Sequence, residues 1–113
     1  MKGILSIMPR SNKTMIHNLQ VAINQNGGGP IMIDKIQFFS EEQHRPISLY
    51  RIKQPKTPTD DDKRKYATLF ESPSQIQVVL FLRDYWYNMN NMEIPTDNEE
   101  WNEIKKKKGI VFG

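Results

Sequence analysis

The hydrophobic positions of residues 73–91 recur with the period of an α-helix and form the longest such pattern in the chain. Placed at about 100° per residue, eight large apolar side chains occupy one continuous arc of roughly 160°. These side chains are Val78, Val79, Phe81, Leu82, Tyr85, Trp86, Met89 and Met92. Gln77, Asp84, Asn88 and Asn91 fall outside the arc, and Ser72–Gln75 reads as a capping box with Pro73 at the first helical position. The pattern predicts a long helix at the centre of the core.

A second helical pattern covers residues 13–26. Its apolar positions follow one helical face, and they are Met15, Ile16, Leu19, Ala22 and Ile23. Ser11 or Asn12 can cap its start, and Gly27 is well placed to end it. We therefore expect a helix before the first glycine-rich turn.

Residues 31–53 favour β-structure. Two runs rich in β-branched and aromatic residues surround the short polar segment 41–44, which predicts a β-hairpin. Alternation along the second run places Leu49, Arg51 and Lys53 on one strand face and Tyr50 and Ile52 on the other.

Residues 54–59, with the sequence QPKTPT, have the composition of a short, stiff linker. After it, Thr59 can cap a short helix, with acids at 60–62 in its first turn and Tyr66 on its apolar side. A last helix is expected to begin at Thr96 or Asp97 and to end at Gly109. Residues 3–8 and 110–113 could each add a short strand.

These elements predict a small α+β fold in which a β-hairpin half packs against three or four helices, one of them long and central. We expect residues 1–113 to form a single domain. Within it, residues 1–53 are the basic, β-containing half, residues 54–59 the linker and residues 60–113 the helical half.

Composition narrows the class of protein. Apolar residues make up 37% of the 113 residues and charged residues 26%, which is ordinary for a globular domain. The longest apolar run, at 78–82, is far below the roughly 20 residues of a membrane span, so we expect no membrane association. The chain contains no cysteine, which excludes disulfides and thiolate chemistry and fits a cytoplasmic location.

Charge is unevenly distributed along the chain. Residues 1–59 carry a formal charge of +5, residues 60–104 carry −6, and four lysines follow, for a total of +3. Such a layout favours contact with a polyanion or association of oppositely charged halves, including a homo-oligomer. The candidate binding residues are cations near aromatic residues, the Tyr50 ring and the run of lysines at 105–108. They are Arg10, Lys13, Tyr50, Arg51, Lys53, Lys56, Lys63, Arg64, Lys65, Lys105, Lys106, Lys107 and Lys108.

Several of these residues also have plain structural interpretations. Tyr50 can be a core residue, and the lysines at 105–108 suit the negative end of a helix dipole. Tyr66 follows the cations at 63–65 and is either a stacking ring or a core residue. The three consecutive acids at 60–62 could hold a divalent ion, but successive helical positions diverge, so a first-turn role is favoured.

Catalytic patterns are missing from the sequence. His17 and His44 have no partner at ligand spacing, and Gly27–Gly29 is not followed by a phosphate-binding helix with Lys–Ser/Thr. We therefore expect no catalytic residue, no metal and no cofactor.

Three functions remain as hypotheses. The first is a non-enzymatic binding protein, an accessory factor or subunit that contacts nucleic acid or nucleoprotein. The second is a protein–protein module, such as an inhibitor or a homodimer, which fits the surplus of large aromatic side chains. The third is an enzyme that uses dispersed carboxylates.

Overall fold

The computed structural model of the protein describes residues 11–110, which form an α+β fold with one antiparallel sheet and three helices. In chain order the elements are α1 (Asn12–Gln25), β1 (Met32–Ser40), β2 (Arg45–Pro55), β3 (Tyr66–Ser72), α2 (Gln75–Met89) and α3 (Glu99–Lys108). The sheet order is β1-β2-β3. The strand predicted at 3–8, and all but the first residue of the one predicted at 110–113, lie outside the described residues.

Helix α1 confirms its prediction. The Ser11 side chain caps the helix by accepting a hydrogen bond from the Thr14 backbone N–H at 3.2 Å. The helix ends at Gln25, and Gly27 then takes a left-handed conformation with φ of +87°, which glycine adopts without steric cost.

Strands β1 and β2 form the predicted hairpin, joined by the turn at 41–44. Their register pairs Ile33 with Ile52 and Asp34 with Arg51. Ile52 is fully buried, and Ile33 and Tyr50 pack against the same core. The predicted alternation of β2 is therefore confirmed: Tyr50 and Ile52 lie on the helix-facing side of the sheet, and Arg51 and Lys53 lie on its outer face.

The short helix predicted after Thr59 is wrong, because residues 66–72 form a third strand instead. Strand β3 pairs with β2, Arg51 opposite Glu71 and Ile52 opposite Phe70, with a bulge at Ile52/Lys53. Strand β2 runs on to Pro55 and so offers a second edge whose backbone groups need partners. The helical spacing of the apolar residues in this segment fits a bulged strand equally well.

The predicted boundary at 54–59 is also wrong. Gln54 and Pro55 belong to β2, and the rest of the segment lies in the connection to β3. The sheet therefore crosses the sign change in charge, and residues 60–113 are not purely helical. Long-range strand pairing overrides a linker-like local composition here.

Helix α2 confirms a helix in the predicted place but not its predicted length: it spans Gln75–Met89 instead of 73–91, and its cap lies two residues later than the box at Ser72–Gln75. Ser74 is the N-cap and accepts from the Gln77 backbone N–H at 3.4 Å. The Ser72 hydroxyl accepts from the Ser74 N–H at 3.0 Å and donates to Gln77 Oε1 at 2.7 Å. The paired polar groups of the helix start thus join it to the end of β3.

The described residues share one hydrophobic core, to which all three helices and the sheet contribute. Phe70 of β3 stacks on Phe81 of α2, with ring centroids 4.9 Å apart, and meets the edge of Trp101 at 5.6 Å. The apolar arc predicted for α2, which extends past the end of the helix to Met92, is only partly buried in the core. Leu82 is fully buried, Trp86 is half-buried, and Met92 is 51% exposed.

Asp84 is a buried charge that the sequence pattern placed on the polar side of α2. Its side chain is fully buried, because α3 covers this side of the helix. The carboxylate accepts from Trp101 Nε1 at 2.7 Å, from Lys105 Nζ at 2.9 Å and from Arg83 Nε at 3.1 Å. We call these four residues the Asp84 cluster.

Helix α3 is positioned by that cluster and by its caps. Asn98, and not Thr96 or Asp97, is the N-cap and accepts from the Trp101 backbone N–H at 2.8 Å. Gly109 ends the helix in a left-handed conformation, as predicted. The sequence predicts three or four helices, and residues 11–110 contain three.

Removing the buried carboxylate is expected to destabilise the fold severely. Asp84→Ala removes the carboxylate that contacts the buried Trp101 N–H and the Lys105 ammonium, and breaking a buried pair costs about 3–5 kcal/mol. Urea unfolding followed by tryptophan fluorescence measures the change. Asp97→Ala is the matched control, because Asp97 contacts the same Arg83 side chain but is 72% exposed, so a change below about 1 kcal/mol is expected. Equal effects of both variants would contradict this account.

Candidate functional site

Basic side chains gather on the outer face of the sheet where β2 and β3 pair. We define the outer sheet cluster as Arg51, Lys53, Lys56, Arg64, Lys65 and Tyr66. Four of its cations and Tyr66 line a shallow cleft of about 450 Å³, together with Thr68 and Glu71. Strand alternation places the β2 cations on this face, and the β2–β3 connection supplies the others.

Carboxylates hold most of these cations in place. Arg51 Nε lies 2.7 Å from Glu71 Oε2, across the pair of strands, and Lys53 Nζ lies 2.6 Å from Asp34 Oδ2. Lys65 makes no ion pair with any residue that the structure describes. The cluster has five cations against the three carboxylates of Asp34, Asp62 and Glu71, so it keeps a net charge of +2.

Asp62 organises the connection between β2 and β3. Its carboxylate accepts from Arg64 Nε and Nη2, both at 2.9 Å, and from the Arg64 backbone N–H at 3.0 Å. Lys56 Nζ lies 3.0 Å away. The Arg64 side chain and backbone N–H, together with the Lys56 ammonium, hold the pKa of Asp62 far below its usual range, and the same contact raises the pKa of Arg64.

This role corrects the predicted one for the acids at 60–62. No helix begins there, so they do not complement a helix dipole. Asp62 N–H instead donates to the Thr59 hydroxyl at 3.1 Å, and Thr59 N–H donates to the Asp62 carbonyl at 2.7 Å. Among residues 11–110 no group of three His, Cys, Asp or Glu side chains could hold a metal ion.

Tyr66 is the aromatic member of the cluster. The residue is 42% exposed, and Lys53 Nζ lies 4.7 Å from the ring centroid. The sequence places Tyr66 beside the cations at 63–65, but its helical spacing predicts an apolar side, so Tyr66 is not among the predicted binding residues. The strand pairing of Pro55 with Tyr66 brings the ring beside the β2 cations.

The other predicted site residues lie elsewhere. Tyr50 faces the helices, so it does not share a surface with Arg51. Lys13 is on α1, Lys63 is exposed 3.9 Å from Asp60, and Arg10 lies outside the described residues.

The lysines at the end of α3 do not act as a unit. Lys105 belongs to the Asp84 cluster, while Lys108 Nζ donates to the Glu71 carbonyl at 3.1 Å and lies 5.0 Å from the Phe70 centroid. Lys106 and Lys107 are exposed. The structure therefore gives two of the four lysines definite contacts within the fold.

Comparison with known proteins does not assign the chain to a family. The chain matches no known family model, no curated protein and no solved structure. Within residues 11–110, no helix has both the length and the hydropathy needed to cross a bilayer.

The Asp62 carboxyl is expected to stay ionised well below the ordinary aspartate midpoint near pH ~3.9. A depressed pKa stabilises the folded connection above the unfolded-state pKa, and that stabilisation is lost as pH falls toward the folded-state value. Carboxyl ¹³C NMR titration measures it, and Arg64→Ala should move the Asp62 midpoint upward. A midpoint for Asp62 that is ordinary in the wild type, or unchanged in Arg64→Ala, would contradict the assigned contacts.

Proposed function

We propose that the protein is a non-enzymatic binding protein whose outer sheet cluster contacts single-stranded nucleic acid. The observation that carries the proposal is the exposed Tyr66 ring set among five cations on an open strand surface. Proteins that bind single strands combine a positive groove for the phosphates with aromatic side chains on which bases stack. Lys65, which has no ion pair among the described residues, is the first phosphate contact.

The ion pairs of the cluster are consistent with this role. They fix the Arg51 and Lys53 side chains before binding, and a phosphate then competes with an exposed or half-buried carboxylate for each cation. Because exposed ion pairs are worth about 0–1 kcal/mol, the exchange costs little. Binding is therefore expected to be modest and strongly dependent on salt.

Removing two cluster charges is expected to weaken binding and flatten its salt dependence. The slope of log K against log salt is negative, and Lys53→Gln with Lys65→Gln should make it less steep by about 1.4. Each phosphate contact on a single strand contributes about 0.7 to the steepness. Fluorescence anisotropy with oligouridylate and oligothymidylate at several salt concentrations measures it. Lys106→Gln with Lys107→Gln is the matched control, since it removes the same charge from the exposed end of α3.

The proposal fails if both double variants lose the same affinity, or if the wild type does not bind at low salt. Tyr66→Ala tests for base stacking, an effect that charge alone does not produce. Loss of one stacked base should cost about 1–3 kcal/mol of binding free energy. Tyr66→Phe, which keeps the ring, should retain most of the affinity.

A second candidate function is contact with another protein through the distal part of the β1–β2 hairpin, residues 36–49. Phe38 is 47% and Phe39 61% exposed, and Phe38 pairs across the strands with Ile47. None of these three residues contributes to the hydrophobic core. Among the described strands, β1 is at the edge of the sheet. Exposed apolar side chains beside such an edge are typical of surfaces that bind other chains.

Self-association is the form of this second candidate that is simplest to test. Phe38→Ser with Ile47→Ser should convert an associating wild type to monomer without changing the melting temperature, because both residues lie outside the core. Sedimentation velocity measures the change. Ile76→Ser is the control, since Ile76 is a 49% exposed residue on α2. A wild type that is monomeric at every concentration would exclude self-association.

A further inference from the structure

A cleft of about 240 Å³ lies on the helix-facing side of the sheet, opposite to the outer sheet cluster. Its lining residues come from α1, the hairpin and the start of α2, and they are Lys13, Ile16, Ile33, Lys35, Tyr50 and Gln75. We call it the α1–sheet cleft. Its volume lies just below the roughly 300–1,000 Å³ of common ligand sites, so it suits a small molecule.

Charge in this cleft is uncompensated. Lys13 and Lys35 are exposed, and neither makes an ion pair with a described residue. None of the described residues that line the cleft is acidic, and the first turns of α1 and α2, which also border it, contain no acidic residue. This differs from the outer sheet cluster, where carboxylates hold most of the cations.

Besides the two lysine ammonium groups, the Tyr50 hydroxyl is a third hydrogen-bond donor in the cleft. Its hydroxyl oxygen accepts a hydrogen bond from Gln75 Nε2 at 2.7 Å. That contact uses the oxygen as an acceptor and leaves the phenolic hydrogen able to donate. Ile16, which is 8% exposed, and the half-buried Ile33 supply apolar walls.

We propose that the α1–sheet cleft binds a small carboxylic acid with an apolar body. Lys13, Lys35 and the Tyr50 hydroxyl would contact the carboxylate, since hydrogen bonds to a charged group are the stronger ones. Ile16, Ile33 and the Tyr50 ring would contact the apolar body. This site is separate from the proposed nucleic-acid surface, and it does not depend on that proposal.

The experiment titrates the full chain with phenylacetate and with the neutral phenylacetamide, following backbone amides by NMR. Phenylacetate should produce saturable shifts at Lys13, Lys35, Tyr50 and Gln75, and phenylacetamide should bind at least about tenfold more weakly, because it lacks the charge. A tetrapeptide with a free C-terminal phenylalanine separates two sources of the same chemistry. Tighter binding of the peptide assigns the carboxylate to a chain end, and equal or weaker binding assigns it to a free acid.

Charge variants test the named contacts. Lys13→Gln with Lys35→Gln should weaken phenylacetate binding by at least about tenfold, while Lys106→Gln with Lys107→Gln should leave it unchanged. Both variants alter only exposed side chains, so both should keep the wild-type amide spectrum away from the substitutions. Equal binding of the acid and the amide, shifts centred away from the cleft, or no saturable binding would each overturn the proposal.

Discussion

A buried carboxylate joins elements that are distant in sequence. Asp84 of α2 accepts from the indole N–H and an ammonium group of α3, and the same indole ring packs against Phe70 of β3. One fully buried charge therefore fixes α3 against both α2 and the sheet. Because an unpaired charge in such a position is costly, arrangements that leave Asp84 without these donors are disfavoured.

The packing of the helices on one side of the sheet determines which surfaces are left exposed. Helices α1 and α2 cover the Ile52 side of the sheet, and the end of α3 reaches Phe70 and Glu71 of β3. The cations of β2 that alternate with the buried residues must then face outward. The outer sheet cluster thus follows from the same strand periodicity that builds the core, while the α1–sheet cleft lies where the helices and the hairpin meet.

Local signals explain why the helices and the hairpin were predictable. The N-cap of α1, the glycine that ends α3, the apolar arc of α2 and the alternation around Ile52 are each encoded within a few residues. Strand β3 was not predictable in this way, because Tyr66–Ser72 is specified by the unpaired edge of β2. Asp84 was assigned to solvent for the same reason, since its burial depends on Trp101 and Lys105, about 20 residues further along the chain. The candidate site shows the same division: the cations were identified from sequence, but their grouping with Tyr66 required the strand register.

The central proposal is that nucleic acid binds the outer face of the sheet and not the helical surface. The most direct measurement is an amide chemical-shift map of the ¹⁵N-labelled protein titrated with oligouridylate at low salt. The account predicts that the shifts cluster in residues 51–56 and 64–68, with the α2 surface unaffected. Shifts centred on α1 and α2, or none at all, would contradict it.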